Sequence, residues 1–91
     1  MARGKRVWGF DDEARAFLLE ATVGIPSLQS LVARAQRRMD LGGMWVVRAS
    51  LRELDEMYDF GEALMDMTRG RRRLDMIEGM LASLSTSMDG F

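Results

Sequence analysis

Apolar positions along the chain recur mostly at helical spacing, most regularly between Ser50 and Met88. Leu51, Leu54, Tyr58, Gly61 and Met65 follow one another at intervals of three and four, one stripe of a helix. Arg52, Asp55, Asp59, Glu62, Asp66 and Arg69 recur the same way on the opposite side. Met57, Phe60, Ala63, Leu64 and Met67 fall between them, so the apolar share exceeds a single core-facing seam. Ser50 with Glu53 three residues on reads as a capping box that starts the helix, and Gly70 can end it in a left-handed conformation. A second arm repeats the pattern with Leu74, Ile77, Leu81, Leu84 and Met88, opposite Asp75, Glu78, Ala82, Ser85 and Asp89. The short Gly-Arg connection makes the two arms antiparallel neighbours. Two helices cannot cover such wide apolar faces between them, so the N-terminal half of the chain or a second copy must pack there. The expectation is a homodimer formed through the hairpin, with Leu51, Leu54, Tyr58, Met65, Leu74, Ile77, Leu81 and Leu84 at its interface.

The first half carries a shorter version of the same period. Asp11, Asp12 and Glu13 suit the positive end of a helix, and Ala14, Phe17, Leu18 and Ala21 then share a face, which predicts a helix over 11–22. Gly24 stops it, and Ile25-Pro26 forbids simple continuation. Pro26 can open a second helix, where its missing N–H costs nothing. Leu28, Leu31, Val32, Ala35 and Met39 give that helix an apolar face, with Arg34, Arg37 and Arg38 on the other side near its negative end. Leu41-Gly42-Gly43 breaks the chain. Met44 to Arg48 reads two ways: Trp45, Val46 and Val47 favour a strand, yet Met44 and Val47 continue the seam of Leu51 and Leu54 in phase. The upstream glycines and the capping box favour a short extended approach. A lone strand needs a partner, either Val7-Trp8 or a second copy. Met1 to Phe10 reads as a basic lead-in anchored by Val7, Trp8 and Phe10, and Asp89-Gly90-Phe91 as a frayed end. The fold expected is all-α: a bundle of about four helices in a single domain over 11–91, with a helix pair over 11–40 and the hairpin over 50–88.

Composition narrows the chemistry. The chain has neither cysteine nor histidine, which removes thiolate nucleophiles, imidazole ligands and the usual general base. Carboxylate pairs such as Asp55 with Asp59 have the spacing for acid–base work, but they lie on a periodic wet stripe. The expectation is therefore a non-enzymatic protein with no cofactor and no metal. The longest uncharged run, Ala21 to Ala33, is interrupted by Gly24 and Pro26 and is too short to span a bilayer. No apolar signal core follows the basic start, so a cytoplasmic protein is expected. Charge is uneven along the chain: residues 1–52 hold nine basic and five acidic groups, a balance of +4, and residues 53–91 hold four and nine, a balance of −5. Such asymmetry marks an interaction surface or complementary packing within the chain. Six of the nine methionines lie in the hairpin, suiting an adaptable core or interface.

One local pattern has a family likeness. A helix, then Thr22-Val23-Gly24-Ile25-Pro26-Ser27, then a helix bearing Gln29, Ser30 and Arg34 resembles a helix-turn-helix unit. Gly24, Ile25 and Leu31 stand where that motif places a turn glycine and apolar contacts. Glu20 departs from it, since a small residue is usual there, and its carboxylate has to point elsewhere. The resemblance spans about twenty residues and implies that Gln29, Ser30, Arg34, Arg37 and Arg38 contact nucleic acid. Two functions are thus expected: a helical adaptor or regulatory protein that self-associates through its hairpin, with a further protein partner; or a helix-turn-helix regulator that dimerises through the hairpin.

Overall fold

The computed structural model describes residues 5–89; Arg3 of the basic lead-in and the Gly90-Phe91 end lie outside the described residues. The chain runs β1 (Lys5–Phe10), α1 (Asp12–Ala21), α2 (Pro26–Ala33), β2 (Gln36–Arg38), a 3-10 turn over Met39–Leu41, β3 (Met44–Ser50), α3 (Leu51–Met67) and α4 (Arg71–Met88). The three strands form an antiparallel sheet in the order β1-β3-β2. This α+β architecture overturns the all-α, helical-bundle expectation.

The correction has two physical sources. First, the supposed lead-in is a strand. Trp8 and Phe10 are buried, Val7 is exposed and Gly9 between the two aromatic residues is half-buried, a period-two pattern too short to stand out in the sequence. Its pairing is distant: Lys5 faces Ser50, Val7 faces Arg48 and Trp8 faces Val47. Val7-Trp8 of the same chain thus supplies the partner that Trp45-Val46-Val47 needs. Second, the second helix stops at Ala33, not near Met39. Gln36, Arg37 and Arg38 are all exposed, so this three-residue edge strand shows no alternation, and Ala35 fits a helical face as well as it fits the observed strand approach. Gly42 and Gly43, both with positive φ, turn the chain back into β3.

The core gathers one face of the sheet and all four helices. Trp8, Phe10, Val47 and Ala49 from β1 and β3 meet Leu18 of α1 and Leu28, Leu31 and Val32 of α2. Leu54 and Met57 of α3 and Ile77, Met80 and Leu84 of α4 complete it. The Trp8 indole N–H donates to Ser83 Oγ at 2.9 Å, satisfying the one polar group of a fully buried ring. Ser50 ends β3 and caps α3 without a loop between them. The Glu53 N–H donates to Ser50 Oγ at 3.1 Å, and the Ser50 N–H donates back to Glu53 Oε1 at 2.9 Å.

Within the hairpin, α4 packs tightly on α3 at Gly61, where an added Cβ would lie 2.7 Å from both Leu81 Cδ2 and Met80 Cε. The wide apolar face is largely used inside the chain. Leu54, Ile77 and Leu84 are fully buried; Tyr58, Met65, Leu74 and Leu81 are half-buried; Leu51 is exposed.

Candidate functional site

The helix pair is fixed by short-range chemistry. Asp11 caps α1 by accepting from the Ala14 N–H at 2.8 Å. Thr22, fully buried, donates its hydroxyl proton to the Leu18 carbonyl at 2.7 Å, and the Ile25 N–H donates to the Thr22 carbonyl at 2.9 Å. Gly24 adopts φ +95° in the turn, a conformation that favours glycine. Gln29 of α2 donates its side-chain amide to the Leu19 carbonyl at 3.0 Å, tying the second helix back to the first. Glu20 is exposed, pointing away from the junction.

The outward positions of α2 are Pro26, Ser27, Ser30 and Ala33, none charged. Ser27 donates to Glu56 Oε2 of α3 at 3.2 Å, which brings a carboxylate to the positive end of α2. Arg34, just past the helix, donates to Glu53 Oε2 at 2.8 Å and to the Arg48 carbonyl at 3.2 Å. Partial burial penalises the Glu53 carboxylate, but hydrogen bonds from the Ser50 backbone and from Arg34 outweigh it and hold its pKa below the ordinary value.

Arg37 and Arg38 do not share a face with Arg34, because they belong to β2. Arg37, opposite Trp45, reaches Asp12 at 3.4 Å, and Arg38, opposite Met44, grips Asp40 with two bonds of 2.9 and 2.7 Å. The Arg38 guanidinium lowers the Asp40 carboxyl below its usual range. The five residues proposed from the helix-turn-helix likeness are thus split. Ser30 faces outward, Gln29 serves the helix junction, and the three arginines each lie against a carboxylate of their own chain. At the hairpin tip beyond them, Met39 is 74% exposed and Leu41 51%.

A second feature was not visible in the sequence, because it depends on β1. Helix α4 runs beside the free edge of that strand. At one end they are joined: Ser87 donates to the Val7 carbonyl at 2.8 Å, and Ser83 accepts from Trp8. Toward Phe10 they part and leave an open cleft of about 450 Å³. Its walls are Gly9, Phe10 and Met44 on the sheet side and Met76, Gly79 and Met80 on the helix. Asp11, Glu13, Asp75 and Arg72 stand around it, Arg72 donating to Glu13 at 2.7 Å. The one signal available in advance was Gly79, a glycine inside an otherwise good helical arm.

Among the described residues, no group of three or more carboxylates is placed to hold a metal ion, and no helix is long and apolar enough to cross a membrane. Comparison with protein-family models, with curated proteins and with solved structures finds no match to this chain.

Proposed function

We propose that the chain is a non-enzymatic protein-recognition module, built on a helix-turn-helix whose second helix is flanked by a β-hairpin. The helix, turn and helix over residues 12–33 keep the helix-turn-helix likeness of the sequence, and β2 and β3 follow them as an antiparallel pair. That likeness concerns fold alone and does not choose a ligand. The observation that carries the choice is the charge of the outward face of α2. Nucleic-acid affinity rests mainly on phosphate neutralisation by Lys and Arg. Here Pro26, Ser27, Ser30 and Ala33 carry no charge, and Glu56 stands where a phosphate would meet the helix N-terminus. The adjoining helix continues with Glu53, Asp55, Glu56, Asp59, Glu62 and Asp66, without a basic residue among them. A duplex laid across α2 meets that acidic field.

The partner surface is not placed on the hairpin seam, because Leu54, Ile77 and Leu84 are occupied within the chain. Nucleic acid is the second reading, favoured by the turn at Gly24 and by the arginines near the hairpin. Their ion pairs are exposed and weak enough to exchange for phosphate.

Fluorescence anisotropy of labelled random duplex DNA, from low to physiological salt, separates the two. The expected result is no binding at low salt. Micromolar binding that weakens steeply with salt, and that is lost when Arg34, Arg37 and Arg38 are replaced together, overturns the protein-recognition reading. In cells of the source organism, a photo-reactive side chain at position 30 is expected to give discrete protein adducts.

A further inference from the structure

We propose that the cleft between the free edge of β1 and α4 takes an extended, basic and apolar segment of a partner protein as an added strand. This rests on the protein-recognition reading above and adds to it a site apart from the outward face of α2, with the chemistry of the segment it takes.

Three observations support it. The first is the strand edge. In an antiparallel ladder, successive residues turn their N–H and C=O alternately toward and away from the neighbouring strand. The Val7 carbonyl faces α4, where Ser87 donates to it. Gly9, two residues on, therefore turns its own N–H and C=O the same way, into the cleft it lines. The edge is covered at Val7 and open at Gly9, and an open edge is a template for another strand.

The second observation is the pair of glycines. A glycine inside a helix costs stability relative to alanine, and close packing usually explains it. Gly61 has that explanation, since a Cβ there would press on Leu81 and Met80. Gly79 does not: a Cβ at this position would meet nothing within 4 Å. Among the described residues its bareness serves no contact, and it lines the cleft opposite the strand edge. A partner backbone approaching Gly9 passes a helix with no side chain in its way.

The third is charge and texture. Three carboxylates, Asp11, Glu13 and Asp75, stand around the cleft against the single guanidinium of Arg72. Met44, Met76 and Met80 make walls that adapt to an aliphatic side chain. A segment alternating apolar and basic residues matches both: one set of side chains turns toward the methionines and the other toward the carboxylates.

The test uses the full chain and a fluorescein-labelled hexapeptide of alternating lysine and valine, with a glutamate and valine peptide as the charge control. Anisotropy is expected to show saturable binding of the basic peptide only. Amide chemical-shift changes are expected at Gly9, Phe10, Gly79 and Met80. Gly79→Ala is expected to raise the melting temperature yet weaken the peptide, a pairing that a purely structural role does not give. Gly79→Leu is expected to weaken binding by about tenfold or more while the circular dichroism stays unchanged. A peptide methylated at alternate backbone nitrogens is expected not to bind, and binding that survives this change overturns strand addition. Shift changes confined to residues 55–66, with Gly79→Leu binding as well as the parent, overturn the cleft and leave the protein-recognition reading standing. So does absence of binding up to about 1 mM peptide. Salt-sensitive binding of duplex DNA overturns that broader reading separately.

Discussion

Two leucines three residues apart show how far a sequence pattern reaches at the scale of single residues. Leu51 and Leu54 lie on the same apolar stripe and look equivalent by spacing, yet Leu51 is 45% exposed and Leu54 fully buried. Leu54→Ala is expected to cost about 2–5 kcal/mol in urea denaturation, and Leu51→Ala less than about 0.5 kcal/mol. Were the stripe an interface between copies, Leu51→Ala would lower the association constant; equilibrium sedimentation of the variant is expected to match the parent. The helical glycines form a second such pair. Gly79→Ala adds a methyl group in open space and removes backbone freedom from the unfolded chain, so a gain of about 0.5–1 kcal/mol is expected. Gly61→Ala makes the same gain but forces apart side-chain tips that a Cβ would approach to 2.7 Å. Overpacking costs about 1–3 kcal/mol, so the net change is a loss of about 1 kcal/mol. The period of apolar residues reveals which way a side chain faces. It does not reveal what stands opposite, and that alone separates these pairs.

At the scale of elements, what was legible was whatever the chain announces locally. Asp11, Pro26 and Ser50 with Glu53 each sit at the helix boundary their chemistry suggests, because a cap involves groups only a few residues apart. Gly70 does not end α3 as expected: that helix stops at Met67 with Thr68 as its C-cap, and Gly70, at φ +100°, precedes α4 instead. The strands β1 and β2 were not legible, for the opposite reason. β1 becomes a strand only by pairing with residues about forty positions away, and β2 is three exposed residues whose arginines also suit a helix end. The same nonlocality hid the cleft, one wall of which is β1.

The capping box gives this scale its prediction. Removing the Ser50 hydroxyl with Ser50→Ala is expected to cost about 1 kcal/mol. Its partner adds a pH dependence. The Glu53 carboxyl has its pKa lowered in the folded chain, against the burial that opposes ionisation, by the Ser50 N–H and Arg34. A lowered folded value means that the folded state binds the proton less readily than the unfolded one. The stabilisation is therefore complete above the ordinary carboxylate pKa and is lost as the pH falls through the lowered folded value. Glu53→Gln keeps a hydrogen-bonding side chain at the box but has no proton to take up. Urea midpoints of this variant, measured from about pH 7 to about pH 3, are expected to fall less steeply than those of the parent.

For the whole molecule, the question is whether the hairpin is a separate body that a second copy could cover. The core indicates that it is not. Leu54, Met57, Ile77, Met80 and Leu84 of the hairpin lie in one cluster with Trp8, Phe10, Leu18, Leu31 and Val47 of the first half. The junction between the halves is Ser50, which belongs at once to the last strand and to the cap of α3. Charge follows the same division. The sequence balances are +4 over residues 1–52 and −5 over residues 53–91, and two of the four ion pairs among the described residues, Arg34 with Glu53 and Arg72 with Glu13, cross between the halves. Both pairs are exposed, so they orient the halves more than they hold them together; burial of apolar surface does the holding. Fragments covering residues 5–50 and 51–89 are therefore expected to be largely unfolded when separate, by far-ultraviolet circular dichroism. Mixed at equal concentration, they are expected to regain the helical signal and the fluorescence of a buried Trp8. Because the ion pairs are weak, moderate salt is expected to change the midpoint of this reassembly little. A stable helical dimer formed by residues 51–89 alone would reverse the conclusion and return the seam of Leu54, Ile77 and Leu84 to a second copy.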